Sequence, residues 1–336
     1  MLHPTGGESM LQKIRLSALA LFLSLFIFSS LSQASPAKAE AKTAIIVAGF
    51  GTTVPEGLPA ILNIVDGVRK AYPNTEVRIC FTSNIIRKVW KKRQENPQKW
   101  LSMGIPKEVL YVENIISVFG DLREDGYRNI IVQPTHMFYM EQSHDLSQYV
   151  SALASIQTMK SKWRPYDAVF MGRPALGMPG DIYSYHEDVA KAIATLAADV
   201  ALAQKEGAAL IYMGHGNEHW STGIYAEVEN AMNKAYPQVT TILGVVEGQP
   251  TLDDVVAKLQ RAGIKKVVLK PFMIVAGDHA RNDMAGAETD SWKSILLEKG
   301  FKVETVLHGL GENDKFARIF VEHIADTAKM HNLQVR

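Results

Sequence analysis

Ala209-Leu210-Ile211-Tyr212-Met213 is an unbroken apolar run that stops on Gly214-His215-Gly216. A run of that length ending in a glycine turn reads as a buried parallel strand, covered on both faces. The same text stands earlier in the chain, where Thr43-Ala44-Ile45-Ile46-Val47-Ala48 runs into Gly49-Phe50-Gly51. Each run leads into a helix-like segment closing on one tripeptide, Ala71-Tyr72-Pro73 or Ala235-Tyr236-Pro237, at offsets of 165 and 164 residues. A third match, Gly126 to Pro134 against Gly263 to Pro271, sits at an offset of 137. Three matches in order favour duplication over the chance likeness of two α/β halves. The drop in offset implies an insertion in the first half near Asn84 to Val109. That insertion carries Arg87, Lys88, Lys91, Lys92 and Arg93 interleaved with Trp90 and Trp100, and reads as a lid or a subunit contact, with the lid favoured.

Strands alternating with helices of ten to fifteen residues imply βαβ units and parallel sheets. The expected organisation is therefore α/β, with halves at 43–175 and 183–336. Pro174, Gly177, Pro179 and Gly180 mark a linker between them. In open parallel sheets ligands sit at the carboxyl ends of the strands, so a cleft between the halves is the expected site.

The first forty residues are different text. Lys13 and Arg15 precede the apolar stretch Leu16 to Leu31, and Ser32-Gln33-Ala34 places small residues where a signal peptidase cuts. Residues 1–34 thus read as a signal peptide, with residues before Met10 as an upstream extension, and the mature chain as periplasmic. An uncleaved anchor is the alternative reading. Removing 1–34 leaves 34 basic and 34 acidic side chains. Such a balanced chain has no global field for gripping nucleic acid, so no nucleic-acid partner is expected. One cysteine, Cys80, in the apolar run Val77 to Phe81, excludes an internal disulfide framework and a thiolate-rich zinc site.

The chemistry-bearing residues gather at strand ends. The glycines around His215 let a backbone approach a ligand closely. A lone histidine in such a turn is more often structural, but His219 and Glu218 nearby shift the balance toward metal or proton chemistry. His219 is placed as support for His215. A second polar turn, Asp278-His279-Ala280-Arg281-Asn282-Asp283, follows the strand at Lys270-Pro271, and Asp278 reads equally as a helix N-cap. Between them, Gly244-Val245-Val246-Glu247 ends on a carboxylate that points into the cleft or is simply solvated. Two imidazoles and a carboxylate suit a late first-row divalent ion, and also suit proton removal from a bound acid. In the first half, His136 with Met137 and Met140 suits a haem or a soft metal, or else the methionines and aromatics merely pack the cleft. Glu141 occupies the position that Asp278 holds in the second half. Gly49-Phe50-Gly51-Thr52-Thr53 lacks the glycine and lysine of nucleotide loops, and no Gly-x-Ser-x-Gly elbow occurs.

Gly214-His215-Gly216, Val245-Val246-Glu247 and Val275-Ala276-Gly277-Asp278-His279-Ala280-Arg281-Asn282-Asp283-Met284-Ala285 resemble the anaerobic-type sirohydrochlorin cobaltochelatases of the CbiK class. Ser291-Trp292-Lys293, Gly309-Leu310-Gly311-Glu312-Asn313 and Phe81 to Lys88 carry the same likeness, which spans residues 43–330. The resemblance implies a class II chelatase fold, with two Rossmann-like parallel-sheet halves related by pseudo-symmetry. It implies ATP-independent insertion of Co²⁺ into sirohydrochlorin; iron insertion to make sirohaem or haem is a rival reading, since imidazole and carboxylate accept Fe²⁺ as well. It also implies His215, Glu247 and His279 as metal ligands, with His215 and His279 catalytic. His136 is kept as a cofactor-binding residue, with haem as the cofactor considered. A homo-oligomer is expected, and Arg87, Lys88 and Arg281 are the candidates for holding substrate carboxylates. A carrier of tetrapyrrole or metal, with no turnover, is the competing reading.

Overall fold

The computed structural model describes residues 41–219 and 223–336; the expected signal segment lies outside the described residues. The first sheet holds β1 (Lys42–Gly49), β2 (Glu76–Phe81), β3 (Tyr127–Pro134) and β4 (Ala168–Met171), in the order β2-β1-β3-β4. The second holds β5 (Ala209–Gly216), β6 (Thr241–Glu247), β7 (Lys266–Pro271) and β8 (Lys302–Thr305), in the order β6-β5-β7-β8. Every pairing is parallel. The two orders are the same once the strands of each sheet are numbered from its own start, which is the duplication read from the sequence. β3 and β7 end on Pro134 and Pro271, the pair that sets the offset of 137.

The strands are buried because helices cover both faces. Helix Leu58–Ala71 shows how: Leu58, Ile61, Ile64, Val65 and Val68 recur at helical spacing and are all buried. The apolar core around Ile45 and Val47 continues without a break into Leu210, Tyr212 and Val268 of the second sheet. Helix Asp314–Met330 follows β8 yet lies against helix Leu58–Ala71 and β3 of the first sheet. The chain from Ala41 to Arg336 is accordingly one compact unit.

The insertion is helical. Where Glu247 passes to helix Leu252–Arg261 through a short turn, Phe81 passes to helix Ile115–Glu124 through helices Asn84–Arg93, Pro97–Ser102 and Lys107–Leu110. Its tryptophans are anchors. Trp90 is fully buried and donates to the Thr52 carbonyl at 2.8 Å. The Arg93 guanidinium lies 4.3 Å from the Trp90 ring and 4.2 Å from the Trp100 ring, and donates to the Thr53 carbonyl. The cation–π contacts hold the insertion's helices together, and the two hydrogen bonds to Thr52 and Thr53 fix it to the loop after β1.

The stretch after β4, expected as a linker, begins instead as interior. Arg173 is buried and makes two bonds to buried Asp188, at 2.6 and 3.1 Å, and one to Asp326 at 2.8 Å. His323 closes the group, with Nδ1 3.0 Å from the Arg173 carbonyl and Nε2 3.3 Å from Asp188. The stretch after β4, helix Tyr185–Ala194 and helix Asp314–Met330 meet here.

Candidate metal centre

The ends of β1, β3, β5 and β7 open onto a cleft of about 600 Å³ lined largely by apolar side chains. Phe50, Ile85, Met137, Phe138, Phe272 and Met273 supply much of that surface.

His215 is the penultimate residue of β5. Gly216 pairs in register with Glu247, which brings the end of β6 alongside the histidine. Gly216 has φ +79°, and a Cβ there would stand 1.9 Å from the Glu247 carbonyl oxygen, so only glycine fits. The Asn217 N–H then donates to that same carbonyl at 3.0 Å. His215 Nδ1 is 3.1 Å from Gly216 O, an atom that can only accept, so Nδ1 carries the ring hydrogen. The Glu247 carboxylate is 3.8 Å from the same nitrogen.

His279 arrives from the loop after β7, at the start of a π-helical turn, Ala280–Met284. The turn brings Asp283 Oδ2 within 2.5 Å of His279 Nδ1, so this ring too holds its hydrogen on Nδ1. The His215 and His279 rings meet edge to face, at a centroid distance of 4.9 Å and 86° between planes. With both Nδ1 atoms occupied, both Nε2 lone pairs are available to a metal or a proton. The pair is about 40% exposed on each side, as a site that must exchange its ion requires. Among the described residues, no three His, Cys, Asp or Glu side chains close into a ready-made coordination shell. Glu247 stands at the rim, beside His215 but outside the cleft lining.

The opposite wall comes from β3. His136 and Glu141 both line the cleft, and Asn217 donates to Glu141 at 3.0 Å, tying the wall of the first sheet to the turn after His215. Burial pushes the His136 imidazole down to about 4, so it is neutral. Met137, Phe138 and Met140 line the cleft and pack against the apolar core beside it.

Two expectations are corrected. Arg87, Lys88 and Arg281 are absent from the cleft lining. Arg87 instead donates to the Phe81 and Thr82 carbonyls, pinning the insertion to the end of β2. His219 is exposed, and its backbone N–H bonds Asn217 Oδ1; the group orienting His215 is the Gly216 carbonyl. Asp283, four residues from His279, is the site residue that sequence reading passed over. Its spacing was visible, but the π-helical turn that makes the spacing effective was not.

Comparison with known proteins agrees with this geometry. The family model for cobalt chelatase (CbiK) matches residues 43–329. The chain belongs to the CbiK cobalt chelatase family. Sirohydrochlorin cobaltochelatase CbiKC of Nitratidesulfovibrio vulgaris is 27% identical over 283 residues, covering 84% of this chain and 89% of that one. Sirohydrochlorin cobaltochelatase of Salmonella typhimurium is 29% identical over 294 residues, covering 86% and 97%. Among solved structures, SirB from Bacillus subtilis with Fe³⁺ superposes with a TM-score of 0.53 at 14% identity, covering 88% of this chain and all of that one. That likeness is one of fold. The CbiK family match takes in His215, Glu247 and His279, together with the whole cleft.

Proposed function

We propose that this chain inserts Co²⁺ into sirohydrochlorin without ATP, releasing two protons, and does so in the periplasm. The observation that carries the reading is the edge-to-face pair His215 and His279, each with Nδ1 held and Nε2 free, at the mouth of an apolar cleft in a CbiK-family chain. The metal is a substrate here, so its site must bind and then let go. Two imidazoles and one rim carboxylate do this better than a closed four-ligand shell.

In this mechanism the ion is held by His215 Nε2 and His279 Nε2, with Glu247 contributing charge at the rim. The macrocycle enters the cleft between the two sheets, and its lone-pair nitrogens displace the imidazoles from the ion. The two pyrrole N–H bonds break as the remaining metal–nitrogen bonds form. One proton passes to His279, whose imidazolium the Asp283 carboxylate stabilises, and the other passes to His215 and on to solvent. Filling the apolar cleft expels water, which strengthens the attraction between the ion and the nitrogens that replace its hydration shell. Imidazole and carboxylate accept Fe²⁺ as well as Co²⁺.

The test follows the visible spectrum of sirohydrochlorin with Co²⁺ or Fe²⁺ and catalytic amounts of protein. Conversion of many equivalents per chain supports the enzyme. A single stoichiometric change supports a carrier and overturns the reading. A homo-oligomer belongs to the same proposal, and light scattering of the folded chain checks it.

A further inference from the structure

The wall of the cleft formed by β3 holds a titratable group that the metal pair does not use. His136 is 8% exposed and lines the cleft. Behind it, fully buried Ser143 donates its one hydroxyl hydrogen to the Phe138 carbonyl at 3.2 Å. Toward the imidazole, Ser143 Oγ therefore offers only lone pairs. Its 2.8 Å contact with His136 Nδ1 puts the ring hydrogen on Nδ1. Nε2 is left with a bare lone pair, enclosed and without a donor among the described residues. A buried acceptor left unmet costs free energy, so its persistence points to a partner outside the described residues.

We propose that His136 Nε2 accepts a hydrogen bond from a pyrrole N–H of the metal-free macrocycle seated against the β3 wall. The inference rests on the tetrapyrrole reading above and adds a substrate contact to it. A metal-free tetrapyrrole presents two N–H groups and two lone-pair nitrogens at its centre. The metal-holding histidines lie at the end of β5 and in the loop after β7, whereas His136 follows β3 of the other sheet. A macrocycle between the two walls turns one face to each. An N–H drawn toward His136 leaves the lone-pair nitrogens to meet the ion from the opposite face. Its low basicity keeps His136 an acceptor that does not itself strip the proton. The metallated product has no N–H, so the contact is lost on insertion and favours release.

The experiment compares dissociation constants for metal-free sirohydrochlorin and for cobalt-sirohydrochlorin, by absorbance titration without added metal. His136→Leu should weaken metal-free binding roughly tenfold, the order of one net hydrogen bond, and leave product binding within about twofold. Equal weakening of both ligands, or no change in either, overturns the proposal. Selective loss of product binding also overturns it, by assigning His136 as an axial ligand of a metallated tetrapyrrole, as haem ligation would require. Should His136→Leu not fold, Ser143→Ala carries the test. Without Ser143 Oγ the ring hydrogen is free to move to Nε2, and the preference for the metal-free ligand should shrink several-fold; an unchanged preference sinks the proposal. Failure of the wild-type chain to bind sirohydrochlorin at all is a separate result, against the tetrapyrrole reading itself.

Discussion

His279 Nδ1 and Asp283 Oδ2 lie 2.5 Å apart across a π-helical turn, and the short bond fixes which ring nitrogen faces the cleft. Removing such a partner from a metal-binding imidazole ordinarily lowers metal affinity or activity by about 10- to 100-fold. Asp283→Asn should therefore slow cobalt insertion by about that factor. Both side chains are close to half exposed, so the melting temperature should barely move. A wild-type rate in the variant removes Asp283 from the site.

His215→Ala and His279→Ala should each cost at least about 100-fold in insertion rate, the contribution of a placed proton acceptor, with the fold intact. Glu247→Gln is expected to do less, because the carboxylate stands at the rim. It should raise the KM for Co²⁺ more than it lowers kcat. Steady-state kinetics on the three variants checks the ranking, and near-normal turnover by His279→Ala contradicts the mechanism outright.

Gly216→Ala tests the backbone that holds these groups. The added Cβ would sit 1.9 Å from Glu247 O at a positive φ, so β5 and β6 must part at their ends. A loss of about 2 kcal/mol or more in urea unfolding is expected, well above an ordinary surface substitution. Gly300→Ala is the comparison: φ is also positive there, but the Cβ meets nothing within 4 Å, so the cost should be smaller.

The strand ends were legible in sequence because buried parallel strands are unbroken apolar text, and Gly214-His215-Gly216 interrupts one. Repetition then announced a second set of strands and helices like the first. What stayed hidden depends on distance along the chain. Arg173, Asp188, His323 and Asp326 carry no local signal, and nothing near Arg173 shows that its partners stand 15 and 153 residues away. The amphipathic pattern of Asp314–Met330 announces a helix with a buried face, but not that the face packs on the first sheet. Arg87 misled for a related reason. A basic residue beside a cleft suggests an anion, while the geometry gives its guanidinium to two carbonyls at the end of β2.

That buried group yields a stability prediction. Arg173 and Asp188 are 3% and 1% exposed, and breaking such a pair leaves an uncompensated charge in the interior. Arg173→Met should cost about 3–5 kcal/mol, and the double variant Arg173→Met/Asp188→Leu less than the sum of the two single ones. Urea unfolding of the cycle measures the difference. Additive costs would mean that the pair does not act as a unit.

Acid should destabilise the chain in two separable windows. His136 is held at about 4 by burial, while in the unfolded chain it titrates near 6.5. Between those values the unfolded state binds the extra proton, so stability falls as pH drops from about 6.5 to 4. Burial alone would raise the Asp188 carboxyl, but hydrogen bonds from His323 and Arg173 outweigh it and hold the group at about 2. Its unfolded value is near 3.9, so its contribution is present above that pH and is lost only as pH falls from about 4 to 2. The two windows barely overlap. At pH 4.5 the His136 effect amounts to roughly 2 kcal/mol, and replacing it with a group that does not titrate should remove it. Urea unfolding of wild type and His136→Gln at pH 7, 5.5 and 4.5 reads this directly: the wild-type curve should fall more steeply, and parallel curves would show that His136 is not the group responsible.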